Sequence, residues 1–317
     1  MDWKSGPKDQ AERLRQLVEN GGQTRRSKVI GGLNNQRYVA EEQVFPETGV
    51  TRVIAVTSGK GGVGKTNFAV NLGVALAQGG RQVALLDADL GLANIDIVLG
   101  IIPQYTLVNV LRGEKTLPEI IVPGPGGLQV MAGGSGVYEL ANVSAWRLDQ
   151  LIKSFGELEK SLDFFLIDTG AGIGQHVLAF LKSAEETVVV TTPEPTAVTD
   201  AYGLIKMLLL GSPEAKVKVV VNMVESEEEA RQVYARLDAA CSKFLGVQVG
   251  FLGYILRDRV VEKAVKEQIP FVVARPNSKA ARCILEIAGR IASLPQENAN
   301  AGGLRAMFKK MMSMVGS

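Results

Sequence analysis

Between about residue 51 and residue 295 the chain alternates two kinds of hydrophobic pattern. Short, nearly continuous apolar runs occur at 53–57, 82–86, 127–131, 164–167, 187–191, 217–221 and 247–254. Their length, their β-branched content and the lack of polar alternation predict strands covered on both faces. Longer segments lie between them, including 66–78, 197–210, 226–244 and 277–293, with the apolar spacing of helices. Strand and helix in regular alternation predict an α/β fold: a doubly wound, mainly parallel sheet with helices on both faces. No internal repeat is visible, and one domain over 51–295 accounts for the pattern.

The two ends read differently. Residues 1–50 form an N-terminal segment and linker, within which 9–18 (Asp-Gln-Ala-Glu-Arg-Leu-Arg-Gln-Leu-Val) has helical spacing. Asp9 with Glu12 is a variant capping box, and Ala11, Leu14 and Val18 make one apolar stripe. So short a helix is marginal alone in water, and therefore expects a partner surface. Residues 296–317 comprise a polar, glycine-bearing linker and a final amphipathic stretch. There Leu304, Met307, Phe308, Met311, Met312 and Val315 share one helical face, with Arg305, Lys309 and Lys310 on the other. That is the pattern of an interfacial membrane helix; the alternative is a terminal helix docked on the protein's own core. Each buried large apolar side chain contributes roughly 1.5–3 kcal/mol, each basic group near anionic lipid about 1 kcal/mol. Ordering the backbone costs about 1–2 kcal/mol per residue, so one tail should bind a membrane weakly. Two tails on a dimer gain roughly 10²–10⁴-fold in avidity.

Composition narrows the class. With 46% hydrophobic and 21% charged residues the chain is globular. A net charge of +2, from 35 basic and 33 acidic residues, gives no global field for nucleic acid, so no nucleic-acid partner is expected. The two cysteines, Cys241 and Cys283, fall within predicted helices and form no C-x-x-C pair, consistent with the cytoplasm. No signal-peptide core follows Met1, and no run reaches the ~18 apolar residues of a spanning helix.

The chemistry concentrates after the first strand, in Ser58-Gly59-Lys60-Gly61-Gly62-Val63-Gly64-Lys65-Thr66-Asn67. From Gly59 this satisfies G-x-x-x-x-G-K-[ST] between a strand and a helix, the context of a phosphate-binding loop. Glycines let successive N–H groups converge on one anion at a helix N-terminus. Lys65 then reaches the β- and γ-phosphates, and the Thr66 hydroxyl ligates Mg²⁺. Ligands of parallel sheets bind beyond the strands' carboxyl ends, where Asp87-Ala88-Asp89 and Asp168-Thr169-Gly170-Ala171-Gly172 follow apolar runs. Asp168 is the second expected Mg²⁺ ligand. Asn222 ends the run at 217–221, and His176, the single histidine, has no evident chemical partner.

Lys-Gly-Gly-Val-Gly-Lys-Thr at 60–66 resembles the deviant Walker A motif of the MinD/ParA family of ATPases. The resemblance implies that Lys60 crosses a homodimer interface to the partner's ATP. It further implies that Asp89 orients the attacking water with Asp87 supporting it, that Asn222 reads adenine, and that Asp200 lies on the dimer and partner face. Gly170 stands where relatives often have proline, and Gly253-Tyr254-Ile255-Leu256-Arg257-Asp258 lacks the proline of a family element, leaving nucleotide contacts there open. Asp-Gln-Ala-Glu-Arg-Leu-Arg matches the DQAxxLR motif of the family's FlhG branch, which controls flagellar number and placement. That match implies that Gln10, Leu14 and Arg15 stimulate the FlhF GTPase, and that the tail is a membrane-targeting helix. Other partners implied are flagellar switch-complex proteins and, in some members, a flagellar transcriptional regulator. A division-site MinD and a DNA-partition ParA remain alternatives; iron–sulfur relatives need paired cysteines that the chain lacks.

Overall fold

The structure is a computed structural model and describes residues 51–89, 94–134, 145–294 and 302–315. Strand β1 (Arg52–Ser58) turns into helix α1 (Lys65–Gln78), and β2 (Val83–Ala88) follows. Three short helices, α2 (Ile95–Leu99), α3 (Leu107–Leu111) and α4 (Leu117–Ile120), precede β3 (Ile121–Pro123) and β4 (Gln129–Ala132). Next come α5 (Ala145–Glu159), β5 (Phe164–Ala171), α6 (Gln175–Ser183), β6 (Glu186–Thr191), α7 (Pro195–Gly211) and β7 (Lys216–Val224). The order closes with α8 (Glu227–Leu245), β8 (Gly250–Leu256), α9 (Arg259–Glu267), α10 (Phe271–Ala274), α11 (Lys279–Ser293) and α12 (Leu304–Val315).

Eight strands make one sheet in the order β3-β4-β2-β5-β1-β6-β7-β8. Every neighbouring pair is parallel except β3 with β4. The seven apolar runs are the parallel strands; β3 was not foreseen because three residues ending in Pro123 carry no strand period. Side chains alternate across the sheet. Ile54, Val56, Phe164 and Leu166 pack with α1 and α11 on one face. On the other, Val53, Phe165 and Ile167 meet α5, α6 and α12, while Ala55, Val189, Val219 and Val221 meet α7 and α8. Continuous apolar sequence is therefore what a strand covered on both sides requires. Where longer helices begin at the surface, Ser226, Asp258 and Ser278 cap α8, α9 and α11 through their side chains.

The final helix lies against this body. Leu304, Met307, Phe308 and Met311 are at most 2% exposed, and the Phe308 ring stacks on Phe155 of α5 at 3.8 Å. Two carboxylates receive its first turn: Glu185 accepts from the Gly303 N–H at 2.5 Å and Glu159 from the Arg305 N–H at 3.2 Å. The four side chains expected to face lipid thus face the protein interior, because α5 and α6 offer the same apolar contacts. Arg305, Lys309 and Lys310 stay exposed, Lys310 3.8 Å from Glu214. The Val315 side chain, the helix expected at 9–18 with Gln10, Leu14 and Arg15, and residues 295–301 lie outside the described residues. Among the described residues no helix is long and apolar enough to cross a membrane.

Candidate active site

β1 stands in the middle of the sheet and delivers the glycine-rich turn to its carboxyl edge. Gly62 and Gly64 take φ of 81° and 87°, left-handed values that side chains rarely adopt. No side chain caps α1, so its first-turn N–H groups remain for an anion. Gly59 packs on α7: a Cβ there would overlap the Asp200 carbonyl.

Lys65, only 7% exposed, forms an ion pair with Asp168 at 2.7 Å. Burial pushes the Asp168 carboxyl above its usual range, against the pull of the Lys65 ammonium. Its second oxygen, Oδ2, is buried with no hydrogen-bond partner. Such an orphan, with the Thr66 hydroxyl 3.4 Å from the same Lys65 Nζ, fits a divalent cation. The described residues hold no cluster of three His, Cys, Asp or Glu for a metal. One carboxylate and one hydroxyl suit Mg²⁺, which keeps waters and phosphate oxygens as its other ligands.

Asp87, near the end of β2, and Asp89, just after it, have different surroundings. Asp87 is 4% exposed, and its oxygens accept the N–H groups of Asp89 at 3.1 Å, Asn94 at 3.2 Å and Ile95 at 3.2 Å. It supports Asp89 through the backbone of that loop. Burial, followed by the neighbouring Asp168 charge among the raising causes, lifts its carboxyl to about 6. Asp89 itself lines the cleft. Its Oδ1 lies 3.5 Å from where a Cβ on Gly170 would stand, so the residue replacing the expected proline sits under the Asp89 carboxylate. Gly172 ties the same loop to β1, donating its N–H to the Ser58 carbonyl at 2.8 Å.

Beside these groups opens a cleft of about 680 Å³, within the usual size range of small-molecule sites. Gly61, Gly62, Gly64, Lys65, Thr66, Asn67 and Asp89 line it together. The Val63 side chain instead anchors in the core. The far wall was not foreseen: Met223 of β7, and Val261, Glu262, Val265 and Lys266 of α9. Two pairs at i and i+4 after the capping Asp258 were the available signal, Val261 with Val265 and Glu262 with Lys266.

A ParA family profile, described as NUBPL iron-transfer P-loop NTPase, matches residues 49–292. The antiactivator FleN of Pseudomonas aeruginosa is 40% identical over 82% of this chain and 93% of its own length. The flagellum site-determining protein YlxH of Helicobacter pylori is 37% identical over 86% of this chain and 93% of its own. The chain belongs to the MinD/ParA family. It is accordingly a P-loop ATPase. Among solved structures, the septum site-determining protein MinD of Pyrococcus horikoshii complexed with Mg-ADP superposes with a TM-score of 0.60 at 29% identity, covering 77% of this chain and 96% of that one. Cys241 and Cys283 of this MinD/ParA ATPase are buried on different helices, α8 and α11.

Two further residues sit beside the cleft without lining it. Lys60, the first lysine of the motif, points to α7, its Nζ 2.8 Å from Glu194 Oε2 and 3.1 Å from the Thr196 hydroxyl. The Glu194 carboxylate raises the Lys60 pKa, with a smaller contribution from Asp200. Glu194 was not foreseen, since nothing local marks it as the partner of a lysine 134 residues away. Asn222 is 8% exposed, its amide engaged by the loop and by Met223.

Proposed function

We propose that this chain is an ATP-dependent dimerising, membrane-associating ATPase that regulates flagellar number and placement. The observation that carries the nucleotide-timed part is the position of Lys60. The loop's second cation, Lys65, is buried in its own site, whereas Lys60 is 40% exposed and held by an exposed glutamate and the Thr196 hydroxyl. An exposed ion pair of that kind is worth about 0–1 kcal/mol, so Lys60 is available to the triphosphate of a second copy. Likeness to FleN and YlxH over nearly their whole lengths supports the flagellar setting.

ATP is the substrate, its phosphates received by the N–H groups of residues 61–66. Lys65 exchanges Asp168 for the β- and γ-phosphates, and Asp89, fixed by Asp87, orients the attacking water. Mg²⁺, held by Thr66 and Asp168, supplies charge neutralisation at the phosphates. Dimerisation joins two tails, and α12 leaves its groove for anionic lipid when that avidity outweighs docking. Residues 9–18, with Gln10, Leu14 and Arg15, act on the FlhF GTPase; flagellar switch-complex proteins and a flagellar transcriptional regulator are the other partners. The working location is the cytoplasm, reversibly at the inner membrane face.

The test is Lys60→Ala. Sedimentation equilibrium with a non-hydrolysable ATP analogue should show a dimer for the unaltered chain and a monomer for the variant. Binding of that analogue to the monomer should stay within about threefold, as expected when only an exposed group is lost. A variant that dimerises as readily as the unaltered chain sinks the proposal.

A further inference from the structure

We infer that α6 is a connector through which a γ-phosphate in the cleft loosens docked α12 within one copy of the chain, before any dimer forms. The connector rests on the nucleotide reading of the cleft given above, and adds to the release of α12 a step that avidity does not supply. Helix α6 has nine residues and is therefore about 13 Å long. One end adjoins the loop after Asp168, and the other adjoins the groove that holds the tail.

At the cleft, Ala171 lines the cavity together with Asp89, and only Ile173 and Gly174 separate Gly172 from the first residue of α6. Loops of this kind are drawn in when a γ-phosphate binds. Glycines at 170, 172 and 174 would let the loop flex without moving the helix, so a side-chain contact has to join the two. Val177, in the first turn of α6, makes it. A Cβ on Gly170 would stand 3.5 Å from Asp89 Oδ1 and 3.6 Å from Val177 Cγ2. The helix therefore touches the loop at the residue that also lies under the Asp89 carboxylate.

At the tail, α6 is engaged twice. Ala179 and Phe180 are buried in one apolar cluster with Leu304, Met307, Phe308 and Met311. Glu185, just beyond the helix, accepts the Gly303 N–H, and a Cβ on Gly302 would overlap its carboxylate. That carboxylate is thus packed against the chain as it enters α12. On the opposite side Leu181 packs with α7. A helix held at native density on both sides moves as one body, so a displacement at Val177 arrives at Phe180 and Glu185. A gap of about 0.5–1 Å already forfeits about a quarter to a half of a dispersion contact. The bistable element is α12, docked or released, and the γ-phosphate biases it through α6.

The experiment follows hydrogen exchange of the α12 amides in full-length Lys60→Ala, at a dilution where sedimentation shows a monomer, with Mg-ADP or with Mg-AMP-PNP. Exchange should be faster with AMP-PNP by roughly 5- to 150-fold, the usual span of coupling between two sites. Adding Val177→Ala should abolish that difference while both nucleotides still bind. A merely structural role for Val177 would raise exchange equally with the two nucleotides and keep their ratio, which overturns the inference. Equal exchange with ADP and AMP-PNP in the Lys60→Ala monomer overturns it too, and leaves release of α12 to the avidity of a dimer. A chain that binds neither nucleotide overturns the nucleotide reading itself, and the connector falls with it.

Discussion

Replacing Phe155 by alanine tests how the C-terminal helix is held without altering that helix. Phe155 is fully buried on α5, stacked on Phe308 at 3.8 Å with the planes 16° apart. It also meets Phe165 edge-on at 6.1 Å, so part of the loss falls on the body of the protein. Phenylalanine-to-alanine changes in cores cost about 3–5 kcal/mol. Assigning about half of that to the Phe308 contact lowers the docked-to-released ratio of α12 by roughly tenfold to a hundredfold. Hydrogen exchange of the amides in α12 should accelerate by that factor, and trypsin should cut sooner after Lys309 and Lys310. Sedimentation with anionic liposomes should then rise in the absence of ATP. Unchanged exchange and cleavage, alongside a lowered melting temperature, would refute the idea that the Phe155 ring holds the helix. Faster exchange with no gain in liposome binding would leave the docking argument standing and remove the membrane role.

Two smaller tests follow from the same geometry. Gly303 has φ 98°, and a Cβ on it would overlap the Glu159 carboxylate that receives the Arg305 N–H. Gly303→Ala should release α12 and speed its amide exchange about tenfold, counting about 1–3 kcal/mol for the strained φ and the lost contact. The increment should shrink in a Glu159→Ala background, and strictly additive effects would rule out the clash. Burial chiefly lifts the Asp87 carboxyl from its ordinary 3.8 to about 6. A raised native value means the folded state takes up this proton first: the group's contribution to stability is full below 3.8 and is lost as pH rises through 6. Protonation nevertheless removes an acceptor from the loop carrying Asp89, so ATP turnover should fall on acidification with a midpoint near 6 while Asp87 alone gains stability. A pH–rate profile with the same midpoint in Asp87→Asn would discount this carboxyl.

The phosphate-binding loop was legible because its chemistry is local: adjacent glycines bend one turn, and that turn opens the helix whose N–H groups it presents. The seven parallel strands were legible for a similar reason, since covering on both faces leaves runs with almost no polar position. Distances along the chain explain what stayed hidden. Glu194 holding Lys60 and Asn222 holding Val63 join residues more than a hundred positions apart, and no period or spacing encodes such a pair. The wall from α9 follows the stretch 253–258, whose missing proline left nucleotide contacts open there, and only its seat across the cleft from the loop gives it a role.

The tail separates the two sources of information most sharply. Sequence alone determined that residues 304–315 form an amphipathic helix with one apolar and one basic face, because helical periodicity is set by the backbone. It could not determine what the apolar face meets, since a protein groove and a lipid surface exclude water equally well. Only the tertiary structure decided that, by placing Phe155 of α5 opposite Phe308, and Glu159 and Glu185 at the helix's first turn.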